Sequence, residues 1–190
     1  MKTQLFVALA AAALMAGCAQ EQTRYGDARA VETMTNQFGS TDLQMMAESM
    51  ARSMLQAPVI ASSNLPIVTV QEVRNKTSEY IDTRSITDSI RVQVLKSGTM
   101  RFMTDIEGMQ NQTDELIRQN QSGLYKKSTT AKMGKMEGAQ YRIEGNITSI
   151  VKKNNDVKDV YYKFSLLLTD VEAGSIEWAD EKEIRKTSKR

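Results

Sequence analysis

The chain has 190 residues, 41% of them hydrophobic and 25% charged, which suits one domain with a packed core once an N-terminal leader is removed. Its 25 Lys and Arg residues nearly balance its 23 Asp and Glu residues, which argues against a nucleic-acid-binding protein, because such proteins show a dominant basic face. The chain has no histidine and one cysteine. It therefore lacks the commonest zinc ligand, the usual general base and any Ser-His or Cys-His nucleophile pair.

The N-terminus has the pattern of a lipoprotein signal peptide over residues 1–17. A lysine near the start is followed by an apolar run of roughly ten residues, which fits a signal peptide and is too short to span a bilayer. Two small residues then precede Cys18, as in a bacterial lipobox. We expect cleavage before Cys18 and lipid attachment, including palmitate, at this residue. The alternatives are an ordinary secretory signal with a chance cysteine, and a buried helix. The residues after Cys18 are Ala19 and Gln20, with no aspartate, and they resemble an outer-membrane sorting signal.

The mature chain is predicted to begin with a tether and continue as one domain. Residues 18–38 are polar with weak apolar periodicity, and some twenty such residues reach at most ~70 Å when extended. Residues 39–190 are predicted to form a single globular α+β domain. Thr41 and Gln44 match a capping box, and methionines at helical spacing then predict a first helix to about Gln56.

The central part of the chain alternates between helical and strand patterns. β-Branched runs bounded by turn formers predict strands, and apolar residues at helical spacing between caps and glycines predict helices. In order, these elements are a strand over 66–73, a helix from Thr83 that ends before Gly98, a strand over 100–103, a helix from Thr104 to about Gly123, and a short helix over 129–136.

From Tyr141 the hydrophobic period changes to two, which is typical of half-buried strands. The sequence Asn154-Asn155-Asp156 predicts a hairpin turn, after which alternate residues from Val160 to Leu168 face one side. A last strand follows, with Ile176 and Trp178 predicted to face inward. The element order predicts an α+β fold: a small, mainly antiparallel sheet with a C-terminal three-stranded meander, flanked by helices.

The chain offers few groups for catalysis or metal binding. Asp114 with Glu115, and Glu181 with Glu183, lie on a predicted helix surface or in the last strand among lysines, whereas catalytic carboxylates need a cleft. No Gly-rich phosphate loop or nucleophile motif is present. The hairpin turn at residues 154–156 supplies too few oxygen ligands for calcium. We therefore predict that the protein is not an enzyme and has no cofactor, no metal site and no small-molecule substrate.

The polar face of the meander is a candidate protein-docking surface. A face that carries both signs of charge and a tyrosine suits docking, because aromatic and arginine side chains are favoured anchors. A solvated face, or one covered by a helix, would show the same pattern. The residues predicted to share this face are Arg142, Glu144, Asn146, Tyr161, Lys163, Ser165 and Glu177. Those chosen as candidate partner-binding residues are Arg142, Glu144, Tyr161 and Lys163.

Several short stretches form an ordered pattern through the domain. They are the lipobox ending at Cys18, Val73-Arg-Asn75-Lys-Thr77, Ile81-Asp82-Thr83, Ser97-Gly98 ahead of Phe102, Gly138-Ala139-Gln140-Tyr141, and Ala173-Gly174-Ser175-Ile176-Glu177-Trp178. In these stretches the chain resembles the LpoB family, outer-membrane lipoproteins that activate bifunctional penicillin-binding proteins. The resemblance covers residues 66 to 178, nearly the whole predicted domain.

The resemblance implies a non-enzymatic activator, anchored to the periplasmic face of the outer membrane. Its partner would be a class A penicillin-binding protein, the peptidoglycan synthase whose activity it regulates, with no nucleic acid involved. It also implies a small antiparallel sheet packed with helices. One departure is the tether, which is long and Pro-rich in some members and short here. The alternative function is that of a structural or self-assembling envelope lipoprotein related to secretion or curli-export components.

Overall fold

The computed structural model describes residues 23–32 and 34–189. The chain divides into two compact units, Met1–Ala30 and Val31–Arg190. The predicted signal peptide and Cys18 lie outside the described residues. In the described residues of the first unit, the chain makes one turn. No helix in the described part of the chain is long and apolar enough to cross a membrane.

The described part of the second unit contains four helices and six strands. In chain order they are α1 (Ser40–Leu55), α2 (Pro58–Ala61), β1 (Ile67–Val70), β2 (Arg74–Lys76), α3 (Thr83–Ser97), β3 (Arg101–Phe102), α4 (Ile106–Gln121), β4 (Tyr141–Lys153), β5 (Val157–Asp170) and β6 (Ile176–Lys189). The predicted short helix over residues 129–136 is wrong. These residues form turns, and Gly134 has a φ of 73°, a left-handed conformation that an α-helix does not accommodate.

All six strands belong to one sheet in the order β3-β1-β4-β5-β6, and β2 also pairs with β4. Strands β4, β5 and β6 form an antiparallel meander. The α+β class and the C-terminal meander are therefore confirmed. The sheet is mixed, because β1 pairs in parallel with β3 and β4, and β2 pairs in parallel with β4. These parallel pairings arise because long connections, which include α3 and α4, return the chain to the same end of the sheet.

Aspartates set the helix starts where the sequence pattern pointed to threonines. Helix α1 has Gly39 as its N-cap, and the N–H of Gly39 donates to the carboxylate of Asp42 at 2.9 Å. Helix α4 is capped by Asp105 rather than Thr104, and its carboxylate accepts from the N–H of Gly108 at 2.8 Å. A charged carboxylate is favoured at a helix N-terminus by the helix dipole as well as by the hydrogen bond.

The core lies between one face of the sheet and the helices α1 and α3. The predicted alternation in β5 is confirmed, and the methionine stripe of α1 is core filling. The buried residues that carry this core are Val160, Tyr162, Phe164, Leu166 and Leu168 of β5, Ile143 and Ile147 of β4, Met46, Met50 and Met54 of α1, and Ile86, Ile90 and Val94 of α3.

The start of β6 departs from the predicted pattern. The register shifts between Leu168 and Thr169, which is the signature of a β-bulge. Trp178 packs against the core, and its Nε1–H donates to Ser53 Oγ at 3.3 Å. Ile176 was predicted to face inward, but it is 60% exposed. The bulge explains this error, because the extra residue changes the alternation beyond it.

The segment before α1 is fixed to the sheet by a polar cluster. The ring of Phe38 packs edge-on against Tyr162, with centroids 5.8 Å apart, and the N–H of Phe38 donates to the carboxylate of Glu79 at 3.1 Å. The Tyr162 hydroxyl donates to the same carboxylate and lies 3.3 Å from the carbonyl oxygen of Asn36. The Asn36 amide donates to Ser188 Oγ at 3.0 Å. Residues that the sequence assigned to the tether therefore contact β5 and β6.

The first prediction concerns Gly145, which faces the core side of β4. A Cβ atom at this position would overlap the backbone carbonyl oxygen of Ser165, whereas a Cβ at Gly138 would meet nothing within 4 Å. We expect Gly145→Ala to lower the free energy of unfolding by about 1–3 kcal/mol, the usual cost of overpacking. Gly138→Ala is the matched control. Urea unfolding measures both, and equal midpoints for the two variants would contradict the close packing of β4 on β5.

The second prediction concerns pH. Burial, followed by the hydrogen bond to Glu79, raises the pKa of Tyr162 above its ordinary value. A tyrosine whose pKa is higher in the folded than in the unfolded state stabilises the fold at pH values below its unfolded pKa of about 10. This stabilisation is lost as the pH rises further. At neutral pH we expect Tyr162→Phe to be less stable by about 1 kcal/mol. Above about pH 10 the difference between the two proteins should shrink. A constant difference in urea unfolding from neutral to high pH would contradict this.

Candidate partner-docking face

The side of the meander opposite the core is open to solvent, and we call it the open face. The alternation that buries one set of side chains in β5 places the other set on this side, and the register of β4 and β6 adds their neighbours. Its residues are Arg142, Glu144, Asn146 and Thr148 of β4, Tyr161, Lys163, Ser165 and Leu167 of β5, and Ala179, Glu181, Glu183 and Arg185 of β6.

Two of the ion pairs on the open face involve the candidate residues. Lys163 Nζ is 3.0 Å from a carboxylate oxygen of Glu181 on the neighbouring strand, and the two side chains are 39% and 49% exposed. The guanidinium of Arg142 is 3.5 Å from the carboxylate of Glu144, and these side chains are about one third exposed. Ion pairs of this exposure contribute about 0–1 kcal/mol to stability. The fold therefore does not depend on them, and a partner can replace either member without loss of structure.

Tyr161 is held in place by charged neighbours on β6. The guanidinium carbon of Arg185 lies 5.6 Å from the centroid of the Tyr161 ring, within the range of a cation–π contact. A hydrogen bond to Glu183, followed by burial, raises the pKa of the Tyr161 hydroxyl. Arg185 also lies 3.8 Å from Asp159. The tyrosine is thus a fixed, half-buried aromatic group with a polar end, the kind of side chain that anchors protein interfaces.

Arg142 has hydrogen-bonding capacity that the chain does not use. Its Nε atom is buried and has no acceptor among the described residues. The contact with Glu144 is long for a hydrogen bond. A buried donor without an acceptor costs about 1–3 kcal/mol, so a rotation of this side chain that brings Nε to an acceptor of a partner would recover part of that free energy.

The structure brings the four predicted residues to one face, but as two separate pairs. Lys163 lies opposite Thr148, and Tyr161 lies one position further along the same face. Glu144 is four residues from Thr148 along β4, which corresponds to ~13 Å at the usual strand rise. The pair Arg142 and Glu144 is therefore separated from the pair Tyr161 and Lys163 by a band that contains Asn146, Ser165 and Glu181.

The contribution of Glu181 and Glu183 to this face was not foreseen from the sequence. Glu181 and Glu183 lie directly opposite Ser165 and Lys163, although the sequence pattern indicated only solvated charge. Glu177 was predicted on this face, but it does not pair with β5, because it is the extra residue at the β-bulge. Its carboxylate accepts from the Ser175 hydroxyl. Once the bulge is known, the alternation of side chains within β6 places Glu181 and Glu183 on the open face.

Other polar groups that the sequence or the surface singles out lie outside the open face. Hydrogen bonds from Gln119 and Arg118 lower the pKa of Glu115, which is the opposite of what a general acid at neutral pH needs. An open depression of about 540 Å³ carries Asp82 and Asp88, but its whole lining comes from α3 and the residue before it. In the part of the chain that the structure describes, no group of three His, Cys, Asp or Glu residues is placed to hold a metal ion.

One protein-family model matches the chain. The family model described as "Peptidoglycan-synthase activator LpoB" matches residues 42–184, well over half of the chain. A comparison with curated protein sequences finds no match. The match begins within α1 and ends within β6, so it contains the first five strands, part of β6 and most of the open face.

Several solved structures are similar to the chain at low identity. The LpoB C-terminal domain from Salmonella enterica is 16% identical, with a TM-score of 0.45, and the match covers 75% of this chain and 98% of that one. The same domain from Escherichia coli is 18% identical, with a TM-score of 0.43 and the same coverage. The lipoprotein GNA1162 from Neisseria meningitidis is 14% identical, with a TM-score of 0.40, covering 65% of this chain and 84% of that one.

These TM-scores lie below 0.5, so the family assignment comes from the family model rather than from the structural likenesses. The resemblance seen in the sequence is confirmed. The chain belongs to the LpoB family of peptidoglycan-synthase activators.

Proposed function

We propose that the protein is a lipoprotein, attached through Cys18 to the periplasmic face of the outer membrane, that binds and activates a class A, bifunctional penicillin-binding protein. The family supports the general role, and the open face supplies the surface on which such a partner would dock. The observation that carries the proposal is the combination on that face of a fixed aromatic residue, Tyr161, and an arginine with a buried donor, Arg142, that no described residue satisfies.

Docking would use both signs of charge on the open face. Lys163 and Arg142 offer cations to carboxylates of the partner, and Glu181 offers an anion released from its pair with Lys163. Because the two intramolecular pairs are weak, exchanging them for pairs with the partner costs little. Tyr161 would supply the apolar contact between the charges, since desolvated aromatic groups carry much of the energy of protein interfaces.

Activation needs no catalytic group in this chain. A protein that binds the active conformation of a synthase more tightly than its resting conformation shifts the population towards the active state. A binding preference of about 1.4 kcal/mol corresponds to a tenfold shift. The regulator therefore needs a specific surface, and the mixed charges of the open face provide specificity because mismatched partners would meet like charges.

The anchor limits where this docking takes place. The compact unit begins at Val31, so 12 residues separate it from Cys18. Such a segment spans at most ~45 Å in any conformation. We infer that the partner must reach towards the outer membrane, because the activator cannot cross most of the periplasm on this tether.

Self-assembly is the alternative, and one feature favours it. Strand β6 is 14 residues long and lies at the edge of the sheet. An open edge can pair with a strand of another copy, but charged side chains along an edge oppose such pairing. Light scattering of the purified protein separates the two functions, since an activator that works by docking needs only the monomer, whereas the alternative requires oligomers.

The third prediction tests the docking face with a matched pair of tyrosines. Tyr161→Ala should weaken binding to a purified class A penicillin-binding protein by about 30-fold, as expected for an interface anchor worth about 2 kcal/mol. Tyr80, which is 94% exposed and lies outside the open face, gives the control Tyr80→Ala with binding within about twofold of the unchanged protein. Surface plasmon resonance measures both, with thermal unfolding to confirm that each variant is folded. Equal affinities would contradict the assignment of the open face.

The fourth prediction tests the anchor. Cys18→Ala should abolish activation of peptidoglycan synthesis in cells while binding to the synthase in vitro stays unchanged, because the lipid localises the protein and does not form the interface. Complementation of a deletion strain and a binding assay are the two measurements. Full complementation by the variant would show that the anchor is dispensable, and lost binding in vitro would show that Cys18 acts on the domain itself.

A further inference from the structure

The segment between α4 and β4 carries a net positive charge, and its one acidic residue, Glu137, pairs with Arg101 of β3. Four lysines occur in its central ten residues, and residues 122–136 contain no acidic residue. The lysines are Lys126, Lys127, Lys132 and Lys135, and all four are exposed. Among the described residues none of them forms an ion pair. This differs from the open face, where cations lie beside carboxylates.

The same segment exposes large apolar side chains between its lysines. Leu124 is 84% exposed, Met133 is 56% exposed and Met136 is 50% exposed. A single exposed apolar residue on a protein surface is ordinary, but several in one short segment indicate contact with another surface. We refer to residues 124–136 as the lysine–methionine loop.

Hydrogen bonds hold the lysine–methionine loop against the end of α4. The Asn120 amide donates to the carbonyl of Ala131 at 2.9 Å, and the N–H of Ala131 donates to Gln119 Oε1 at 3.0 Å. The Arg118 guanidinium lies 5.0 Å from the ring centroid of Tyr125 and donates to its hydroxyl. The loop thus uses polar groups to pack on the helix, while its lysines and the apolar side chains remain outside.

We propose that the lysine–methionine loop binds the surface of an anionic phospholipid bilayer. Lysine ammonium groups would contact the lipid phosphates, and the leucine and methionine side chains would enter the boundary between headgroups and acyl chains. Lysine suits this position because its flexible stem lies along apolar surface while its charge stays in the headgroup layer. The proposal does not depend on the open face or on the synthase.

Two other partners fit the loop less well. An anionic glycan would use the four charges but leave Leu124, Met133 and Met136 in water. A protein partner is disfavoured by composition, because lysine is depleted in the cores of protein interfaces, where arginine and aromatic residues are enriched. An anionic bilayer is the surface that engages both sets of side chains.

The test measures binding of the unlipidated protein to vesicles. A chain that begins at Ala19 keeps the whole compact unit Val31–Arg190 and has no acyl chain of its own. We expect it to co-sediment with phosphatidylcholine vesicles that contain about 30 mol% phosphatidylglycerol, and not with phosphatidylcholine alone. Added salt should weaken binding, since the attraction between exposed charges is screened.

Matched lysine pairs identify the surface involved. Replacing Lys126 and Lys127 by glutamine should weaken vesicle binding by about 25-fold, or about fivefold for each lysine. Lys152 and Lys153, at the end of β4, are also exposed and adjacent, and their replacement by glutamine should change binding by less than about twofold if the loop is the contact. Thermal unfolding checks that both variants are folded.

Three outcomes would overturn the proposal. The first is no preference for anionic over neutral vesicles. The second is an equal loss of binding from the two lysine pairs, which would indicate general attraction to positive charge. The third is retention on isolated peptidoglycan, lost in the Lys126 and Lys127 variant, without vesicle binding, which would identify an anionic glycan instead. None of these measurements involves the synthase, so failure here leaves the docking proposal untouched.

Discussion

The pairing of β5 on both of its edges is the constraint on which the rest of the structure depends. β5 pairs along its length with β4 on one side and β6 on the other. Every second side chain is therefore committed to the core, where Tyr162, Phe164 and Leu166 are fully buried. The side chains between them must face the other way. The open face with Tyr161 and Lys163 is thus a direct consequence of the same alternation that builds the core, and a slip of one residue would exchange the two faces.

The N-terminal segment joins this sheet to the proposed anchor. Phe38 packs on Tyr162 of β5, and Asn36 donates to Ser188 of β6. Glu79 accepts from both Phe38 and Tyr162. These contacts make the folded unit start earlier than the polar composition suggests. Twelve residues separate the folded unit from Cys18, which limits the distance between the proposed anchor and the domain. That constraint makes a second contact, such as the lysine–methionine loop at a bilayer, more effective, because two linked contacts reinforce each other.

The sequence predicted most of the elements whose buried face follows from a local hydrophobic pattern. The alternation in β4 and β5 and the helical stripe through Ile86 predicted the core faces, because burial imposes periods of 2 and 3.6 directly on the sequence. The parallel pairing of β1 with β4 was not foreseen, since it depends on which strands meet after long connections. The position of Glu177 was misplaced by a bulge that exists only in the pairing with β5. For the same reason Glu181 and Glu183 were recognised on the open face only from the register, although the four candidate residues on β4 and β5 had been predicted to share one face.

The central claim is that the open face contacts a class A penicillin-binding protein, and site-specific photo-crosslinking tests it most directly. A photoreactive residue in place of Ser165, in the band between the two charged pairs, should crosslink to the synthase in envelope preparations. The same residue in place of Ser62, which is exposed at the end of α2, should not. A synthase crosslink from Ser62 with none from Ser165 would contradict the account, because it would place the interface on another side of the domain.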